Sequence, residues 1–296
     1  MKSDVTSSLN ETIIYLNKSR HKAIFFSTLS WCLMGIFFIS FFVFIFLGLL
    51  LFSDLIGLFL GLAFLGMVLA GLSILLFVKA TRNYKKVFQT SLIKTFNLDC
   101  YKDLKFSFNG FIRIDNMDDK MVFNKYKGMG ESLIEGKLEK ASFSSCYYEY
   151  TNFQRGLKNL KGRIIMFKLD KVLPYRYLLE DKDTKILFKK LDFTKTLETE
   201  SIVFNKNHTL YVDDTFKVLN FITPSFINRI NDFTDLYKCH LNILAQKDRV
   251  YVAVNDYNYF TFSILKKVDE DYALKFRQEL LMPARMYKVF SSDLDD

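Results

Sequence analysis

Two long hydrophobic stretches near the N-terminus dominate the pattern of apolar and polar positions along the chain. Residues 23–53 and 55–78 contain no charged side chain, and Asp54 stands alone between them. Each stretch exceeds the roughly 20 apolar residues that cross about 30 Å of hydrocarbon. The pattern therefore predicts a transmembrane hairpin over residues 23–78, with its helices near residues 24–47 and 55–78. A hairpin buried in a soluble core and a cleaved signal peptide are both less consistent with runs this long that are apolar on every face.

Basic residues lie at both ends of this hairpin, and its turn has none. They precede the first helix and follow the second, at Lys18, Arg20, Lys22, Lys79, Arg82, Lys85 and Lys86. Cytoplasmic flanks of membrane helices are enriched in lysine and arginine. We therefore expect residues 1–22 and the chain after the hairpin to be cytoplasmic, with the turn at residues 50–54 outside. The same basic side chains are then expected to face the membrane surface.

Small residues recur at four-residue spacing in the second helix and indicate close helix packing. Gly57 with Gly61 and Gly66 with Ala70 form two such pairs, which let helix backbones approach each other. Two partners remain open, namely the first helix of the same chain and a second copy of the chain. Neither span carries a polar residue other than serine or threonine, so the hairpin is predicted to be an anchor and not a pore.

The residues that follow the hairpin, 79–100, have the pattern of an amphipathic helix. The apolar face comprises Tyr84, Val87, Phe88, Leu92 and Phe96. The opposite face is basic, at Arg82, Lys85, Lys86 and Lys94. Such a face can attract anionic lipid headgroups, and a solvated basic face shows the same pattern, so both interpretations stay open.

The remainder of the chain has short alternating apolar runs separated by polar turns, which is typical of strands. The strand candidates are residues 106–114, 132–142, 147–153, 163–168, 185–189, 201–204, 241–245, 249–254 and 260–265. The seventh and eighth candidates are separated by a short turn and are predicted to pair as a hairpin. Two helices are also predicted, one capped by Thr223 and started by a proline, the other over residues 269–288. The fold class is therefore α+β: a mostly antiparallel cytoplasmic domain at residues 101–290, with an acidic tail at 291–296.

Composition narrows the class of protein further. The chain has 296 residues, with 41 basic and 32 acidic side chains and a formal charge of +9. Half of the residues are hydrophobic, which excludes intrinsic disorder because their burial can offset chain entropy. Only 12 glycines and 4 cysteines occur, so collagen-like and disulfide-scaffold classes are excluded as well. Unpaired thiols are expected, in a reducing cytoplasm.

No local motif for catalysis, cofactor binding or metal binding stands out. The three histidines and four cysteines form no CxxC or HExxH spacing. Cys239 and His240 are a poor ligand pair, since neighbours in a strand point to opposite faces. Residues 115–119 lack the glycine of a calcium loop, and residues 127–130 do not continue into a phosphate loop. Basic and aromatic residues mix over residues 147–168, but strand alternation places many of these aromatics in the core. We therefore expect no catalytic set, no cofactor, no metal and no nucleic-acid partner.

Several longer segments resemble a known family. They are Glu135-Gly136 with Phe143-Ser144, Lys161-Gly-Arg-Ile-Ile-Met-Phe167, Phe221-Ile-Thr-Pro-Ser-Phe-Ile-Asn-Arg-Ile230 and Asp248-Arg-Val-Tyr-Val-Ala-Val254. In this order they resemble the bacterial membrane-associated family catalogued as domain of unknown function 3137, over most of residues 80–265. One departure is Ile164-Ile165-Met166, where the family is expected to have an aromatic-rich strand. The resemblance implies paired N-terminal hydrophobic helices, a cytoplasmic α+β domain and a place in the bacterial inner (plasma) membrane. It implies no catalytic residues.

Two interpretations of function follow. The first is a membrane-anchored, non-enzymatic binding or scaffold module whose cytoplasmic domain binds a protein partner, a second copy of itself or the lipid bilayer. The alternative is a membrane-tethered enzyme whose site is built from scattered carboxylates and tyrosines. A transport accessory acting through the helix pair is less consistent with helices that lack polar residues. A deep pocket with converging polar groups would favour the enzyme, whereas an exposed apolar patch or an open sheet edge would favour the binding module.

Overall fold

The computed structural model describes the backbone of residues 2–51, 56–96, 98–112, 130–150, 160–184, 188, 193–257 and 260–291. Side chains within these ranges are described except at residues 2–6, 47–51, 56–63, 65, 130–131, 149–150 and 160. The described residues form two compact units. The helical unit lies within residues 1–97 and 261–274, and the sheet unit lies within residues 98–260 and 275–296.

The helical unit contains the two apolar helices that the sequence pattern predicts. Helix α1 spans Lys2–Leu51 and helix α2 spans Ile56–Phe96. Both are long and apolar enough to cross a membrane. Each continues past its predicted span, so the polar segment before residue 23 is helical. The predicted amphipathic helix after residue 78 is the second half of α2.

Hydrogen bonds between α1 and α2 show that the two helices run antiparallel. The hydroxyl of Thr12 lies 2.8 Å from the hydroxyl of Thr95. Farther along, the Ser30 hydroxyl donates to the carbonyl of Ser73 at 2.6 Å. An earlier residue of α1 thus contacts a later residue of α2, as a helical hairpin requires.

Residues 261–274 complete the helical unit without forming a strand. The side-chain amide of Asn17 donates to the carbonyl of Val268 at 2.7 Å and accepts from its N–H at 3.1 Å. The backbone N–H of Ser263 donates to the hydroxyl of Tyr272 at 2.9 Å. The predicted strand at residues 260–265 is therefore wrong, because side chains satisfy backbone groups that a neighbouring strand would otherwise bind. The segment also belonged to the predicted domain at 101–290, whereas here it packs with the helices.

The sheet unit is built on one sheet, with nine strands among the described residues. The strands are β1 (Lys102–Ser107), β2 (Gly130–Leu138), β3 (Ala141–Tyr150), β4 (Leu160–Leu169), β5 (Tyr177–Asp181), β6 (Lys195–Leu197), β7 (His208–Val212), β8 (His240–Gln246) and β9 (Arg249–Asn255). Their order across the sheet is β1-β2-β3-β4-β9-β8-β5-β7-β6. Every described strand pair is antiparallel, so the predicted α+β class is confirmed.

Helices connect and cover these strands. They are α3 (Ile202–Asn207), α4 (Thr215–Leu219), α5 (Pro224–Tyr237) and α6 (Glu270–Ser291). The predicted cap of α5 is confirmed, since the Thr223 side chain accepts from the N–H of Phe226 at 3.2 Å. The last predicted helix is confirmed as α6, which begins one residue after the predicted start and ends three residues after the predicted end.

Several predicted strands are confirmed, and one proves to be two strands. Strands β4, β8 and β9 contain the candidates at residues 163–168, 241–245 and 249–254. Strands β8 and β9 also pair as the predicted hairpin. The single strand predicted at residues 132–142 is wrong, because a turn at residues 139–140 separates β2 from β3.

The strand predicted at residues 201–204 is instead the start of helix α3. The Ser201 side chain accepts from the N–H of Phe204 at 3.3 Å. This local cap favours a helical turn, and it prevails over the strand preference of the Ile-Val-Phe run.

Three further strand candidates can be compared with the described strands only in part. The one at residues 106–114 overlaps β1 at its first two residues, and the one at 147–153 overlaps the end of β3. The candidate at 185–189 lies outside the described residues except for Phe188, which forms a bridge. Strands β5, β6 and β7 were not predicted.

The two faces of the sheet bury different groups of side chains. On one face, Phe167 of β4 contacts Tyr287 and Phe290 of α6, with ring centroids 6.2 Å and 5.1 Å away. Side chains alternate between faces along a strand, so the neighbouring positions point the other way. The cluster on that face comprises Ile112, Cys146, Tyr148, Ile164, Leu178, Phe188, Leu244, Tyr251 and Ala253. Both faces of the central strands are therefore buried.

Candidate functional site

Three strand ends bring two histidines and two aspartates together. Asp181 is the last residue of β5, and His208 and His240 are the first residues of β7 and β8. Because β5 lies between β7 and β8 and is antiparallel to both, its end meets the start of each neighbour. Asp183 lies two residues beyond the end of β5. These four residues, Asp181, Asp183, His208 and His240, are termed the strand-end cluster.

The carboxylate of Asp181 is the centre of the strand-end cluster. Its Oδ1 accepts from the backbone N–H of Asp183 at 2.9 Å and of Thr184 at 3.2 Å. Its Oδ2 lies 3.1 Å from Nδ1 of His240 and 4.0 Å from Nε2 of His208. One donor atom each from Asp181, Asp183 and His240 lie within 4.8 Å of one another. The turn after β5 thus holds one carboxylate oxygen and leaves the other facing both imidazoles.

Asn242 of β8 holds this turn against the sheet. Its Oδ1 accepts from the N–H of Asp181 at 2.8 Å, and its Nδ2 donates to Oγ1 of Thr184 at 3.1 Å. Both Asn242 and Thr184 are buried. Hydrogen bonds inside the protein, and not chance contacts at the surface, therefore position the cluster.

His208 is the buried histidine of the cluster. The residue is 8% exposed, and its ring stacks on Phe204 with the centroids 4.6 Å apart. Neither ring nitrogen has a hydrogen-bond partner among the described residues. Burial lowers the pKa of His208, and the nearby Asp181 carboxylate opposes that shift without reversing it. The imidazole is therefore neutral near pH 7, which is the form that coordinates metal ions.

Sequence reasoning missed this cluster because its members lie far apart in the chain. It weighed His240 only against its neighbour Cys239. Burial and, to a smaller extent, the Asp181 carboxylate raise the pKa of Cys239 to about 12, so this thiol stays protonated. The Asp-x-Asp spacing of Asp181 and Asp183 was the one local signal, and by itself it is typical of a surface turn.

A second feature is an open groove of about 940 Å³ along strands β1 to β4. Its apolar lining includes Phe111, Leu133 and Met166, and its basic lining comprises Lys105, Lys137, Lys168 and Arg249. Gly136 also lines the groove, and a Cβ at this position would lie 3.0 Å from the ring of Phe143. The glycine thus lets the Phe143 ring pack against the backbone at this point.

The acidic side chains of the groove already have partners. Asp103 lies 3.9 Å from the Nζ of Lys137. Glu135 accepts from the hydroxyl of Ser144 at 3.3 Å. The groove therefore combines apolar contact area with an excess of basic side chains.

A buried ion pair connects β4 to α6. Nε and Nη2 of Arg163 each lie 2.9 Å from Oε2 of Glu279. The Tyr257 hydroxyl donates to the same oxygen at 3.0 Å, and the N–H of Phe260 donates to Oε1 at 2.8 Å. Burial lowers the pKa of Arg163, but Tyr257 and Glu279 raise it by more, so the guanidinium stays charged. Because these groups satisfy one another away from water, loss of one of them would leave a buried charged or polar group without its partner.

The predicted membrane-surface residues lie on the two long helices. Five of them are exposed: Lys18, Lys22, Lys79, Arg82 and Lys86. Lys85 is half-buried, with its Nζ 5.6 Å from the ring centre of Phe262. Arg20 is buried and donates from Nη1 to the carbonyl of Leu265 at 3.0 Å. Arg20 therefore serves the packing of the helical unit and does not face a lipid surface.

Two of the four predicted helix-packing residues have described surroundings. Gly66 faces the ring of Phe37 on α1, and a Cβ at this glycine would overlap that ring. The carbonyl of Ala70 accepts from the hydroxyl of Ser73 at 2.9 Å. Gly57 and Gly61 belong to α2, but their surroundings lie outside the described residues. At Gly66, the small residue lets α1 and α2 of one chain approach.

Large apolar side chains cover the middle of both long helices and are exposed. They occupy much of residues 25–46 on α1 and residues 64–78 on α2. At about 1.5 Å per residue, the stretch on α1 is about 33 Å long, close to the roughly 30 Å of a hydrocarbon core. These two stretches are termed the apolar belt.

Comparison with known proteins agrees with the family resemblance of the motifs. Residues 158–294 match the family model described as protein of unknown function (DUF3137). The predicted resemblance is confirmed for that segment, and residues 80–157 lie outside the match. Among solved structures, the chain matches the crystal structure of the mycobacterial trehalose monomycolate transport factor A, TtfA, with 7% identity and a TM-score of 0.39, over 68% of this chain and 91% of that chain. A likeness this weak supports no conclusion about the fold or the function of the chain. No curated protein sequence matches the chain.

Proposed function

We propose that the chain, whose residues 158–294 match the DUF3137 family model, is a membrane-anchored, non-enzymatic binding module. The apolar belt is the observation that carries this proposal. Soluble proteins rarely expose contiguous apolar surface on this scale, and such surface marks a membrane or a partner. The length of the belt on α1 matches a bilayer core, which favours the membrane.

In this proposal both termini and the sheet unit are cytoplasmic. Exposed basic residues occur at one end of the belt on both helices, at Lys18 and Lys22 on α1 and at Lys79, Arg82 and Lys86 on α2. Lysine and arginine concentrate on the cytoplasmic side of membrane helices. The inner (plasma) membrane of a bacterium is the location that the proposal assigns.

Two native thiols test the anchor and its orientation. Cys32 lies in the apolar belt and Cys100 lies after α2, and both are exposed free thiols. A charged, membrane-impermeant maleimide should label neither in intact cells. After the membrane is permeabilised it should label Cys100, while Cys32 should react only in detergent. The variants Cys32→Ser and Cys100→Ser assign each signal. Labelling of Cys100 in intact cells would contradict the orientation, and release of the chain by alkaline carbonate would contradict the anchor.

The proposed partner is an acidic, amphipathic segment of another protein that binds in the groove. The basic side chains there outnumber the acidic ones, and both Asp103 and Glu135 already have partners. Complementary charge would steer such a segment to the groove. Exposed apolar side chains such as Phe111 would contribute apolar contact area. This occupant fits the groove better than the lipid bilayer or a second copy of the chain, because it uses both its charge and its apolar lining.

A photo-crosslinking amino acid at Ser142, an exposed residue that lines the groove, tests the partner in cells. The full chain is then purified in mild detergent and its adducts are identified by mass spectrometry. We expect a protein adduct that weakens when Lys137→Glu and Lys168→Glu are combined. The control Lys206→Glu changes an exposed lysine outside the groove lining and should leave the adduct unchanged. Adducts of lipid or of the chain with itself, or equal adducts in all variants, would contradict the proposed partner.

A further inference from the structure

We propose that the strand-end cluster binds a divalent transition-metal ion, with zinc as the ion that fits it best. The ligands are Asp181, Asp183, His208 and His240. This inference goes beyond the proposed anchor and partner groove, and it depends on neither, because none of the four residues lies in the belt or lines the groove.

Three of the four proposed donor atoms lie close enough together to bind one ion. Zinc binds histidine nitrogen and carboxylate oxygen at about 2.0–2.2 Å, which places neighbouring donors about 3.4 Å apart. Oδ2 of Asp181 lies 3.1 Å from Nδ1 of His240 and 4.0 Å from Nε2 of His208. Asp183 contributes an oxygen within 4.8 Å of both the Asp181 and His240 donors. Asp181, Asp183 and His240 therefore supply three donors to one ion, and the proposal adds Nε2 of His208, 4.0 Å from Oδ2 of Asp181, as the fourth.

An ion pair between Asp181 and His240 alone would leave His208 unexplained. His208 is 8% exposed, and both its ring nitrogens lack a hydrogen-bond partner among the described residues. Buried polar atoms in native proteins nearly always have partners, and an unpaired one costs stability. Its Nε2 lies 4.0 Å from Oδ2 of Asp181, a distance too long for a hydrogen bond. A metal ion between them gives that nitrogen a ligand bond.

The donor types select the class of ion. Two imidazoles with two carboxylates suit zinc and its transition-metal neighbours, whereas magnesium and calcium prefer sites built from oxygen alone. Asp183 is exposed and His240 is half-buried, so an ion can reach the site from solvent. His208 closes the site from the protein side.

Hydrogen bonds around the cluster orient the Asp181 carboxylate, as at known metal sites. Metal-binding carboxylates are themselves oriented by hydrogen bonds from neighbouring groups. Oδ1 of Asp181 accepts two backbone N–H groups, and Asn242 binds the backbone of Asp181 and the hydroxyl of Thr184. An ion here would join the ends of β5, β7 and β8 across the sheet.

The test uses the full chain in detergent, purified through a tag without histidine and stripped of metal by a chelator. Zinc binding is measured by competition with a chromogenic chelator, and bound metal is counted by mass spectrometry. Cobalt is added as a spectroscopic probe, because four-coordinate cobalt has strong visible bands. The variants Asp183→Asn and His240→Gln remove ligands that are not fully buried. The matched controls Asp235→Asn and His21→Gln change exposed residues elsewhere.

We expect one zinc ion per chain, with affinity at least about tenfold lower in each ligand variant and unchanged in the controls. Zinc should also raise the unfolding temperature of the native chain, because it binds only the folded site. The ligand variants should lose this rise while their circular dichroism without metal stays native. Absence of stoichiometric zinc, equal affinity in the ligand variants, or displacement of zinc by equimolar magnesium or calcium would overturn the proposal.

Discussion

Replacing Glu279 by glutamine should destabilise the sheet unit, because it leaves the charge of Arg163 buried without a counter-charge. The two side chains are only 3% and 6% exposed. The Glu279 carboxylate accepts from Arg163, from the Tyr257 hydroxyl and from the N–H of Phe260. Removing one partner of a buried ion pair costs about 3–5 kcal/mol. For a unit of this size, each kcal/mol lowers Tm by about 2–4 °C, so the expected fall is about 10 °C.

Thermal unfolding of the full chain in detergent, followed by circular dichroism, measures this loss. Hydrogen exchange at the amides of β4 and β9 locates it in the sheet unit. Fluorescence is unsuitable, because the one tryptophan, Trp31, lies in the apolar belt. The control Asp103→Asn breaks the surface ion pair with Lys137. The side chain of Asp103 is 72% exposed and that of Lys137 is 65% exposed. It should cost less than about 1 kcal/mol.

A double variant separates the lost charge pair from lost packing. Arg163→Met combined with Glu279→Leu removes both charges and keeps apolar volume. Because no unpaired charge then remains, the double variant should be more stable than Glu279→Gln alone. A loss below about 1 kcal/mol in Glu279→Gln, or a double variant that is no more stable, would refute this account of the network.

Three further predictions follow from local geometry. Gly66→Leu should lower the unfolding temperature of the helical unit in detergent, because the new side chain would overlap Phe37. The control Gly71→Leu should not, since a Cβ there meets nothing within 4 Å. Equal effects of the two variants would contradict the packing role of Gly66. Thr223→Ala should lower the free energy of denaturant unfolding by about 1 kcal/mol, because it removes the cap of α5. No change would refute that contribution. Burial raises the pKa of Tyr237 from 10.0 to about 12. The unfolded state therefore loses this proton first, and the free energy of unfolding should fall between about pH 10 and pH 12. Tyr237→Phe should reduce that fall, and an unchanged alkaline profile would contradict the prediction.

Local signals in the sequence were enough for most elements whose cause is local. The Thr223 side chain and the proline after it satisfy the start of α5 within four residues. The β8–β9 hairpin closes through a short turn in which Lys247 has a positive φ of 53°. A continuous apolar run defines each long helix whatever it packs against.

Elements that depend on distant partners were missed or misassigned. Strand β5 is short and gains its place from pairing with β7 on one side and β8 on the other. The run at 260–265 has strand-like residues, yet its backbone binds side chains of the helical unit. Pattern reasoning counts neighbours along the chain and cannot weigh such distant contacts. Residues 201–204 are an exception, because the Ser201 cap is local and outweighed the strand preference of three apolar residues.

The two apolar helices, the α+β class and the family resemblance could be predicted from the chain alone, because each depends on the length, period or order of residues along it. Which polar side chains meet depends on the tertiary fold. Asp181 and His240 are 59 residues apart and contact because β5 lies beside β8. Arg163 and Glu279 are 116 residues apart and pair because α6 packs on the face of β4. Strand order and helix docking follow from burial of the whole core, so the candidate metal site and the buried ion pair become visible only in the folded chain.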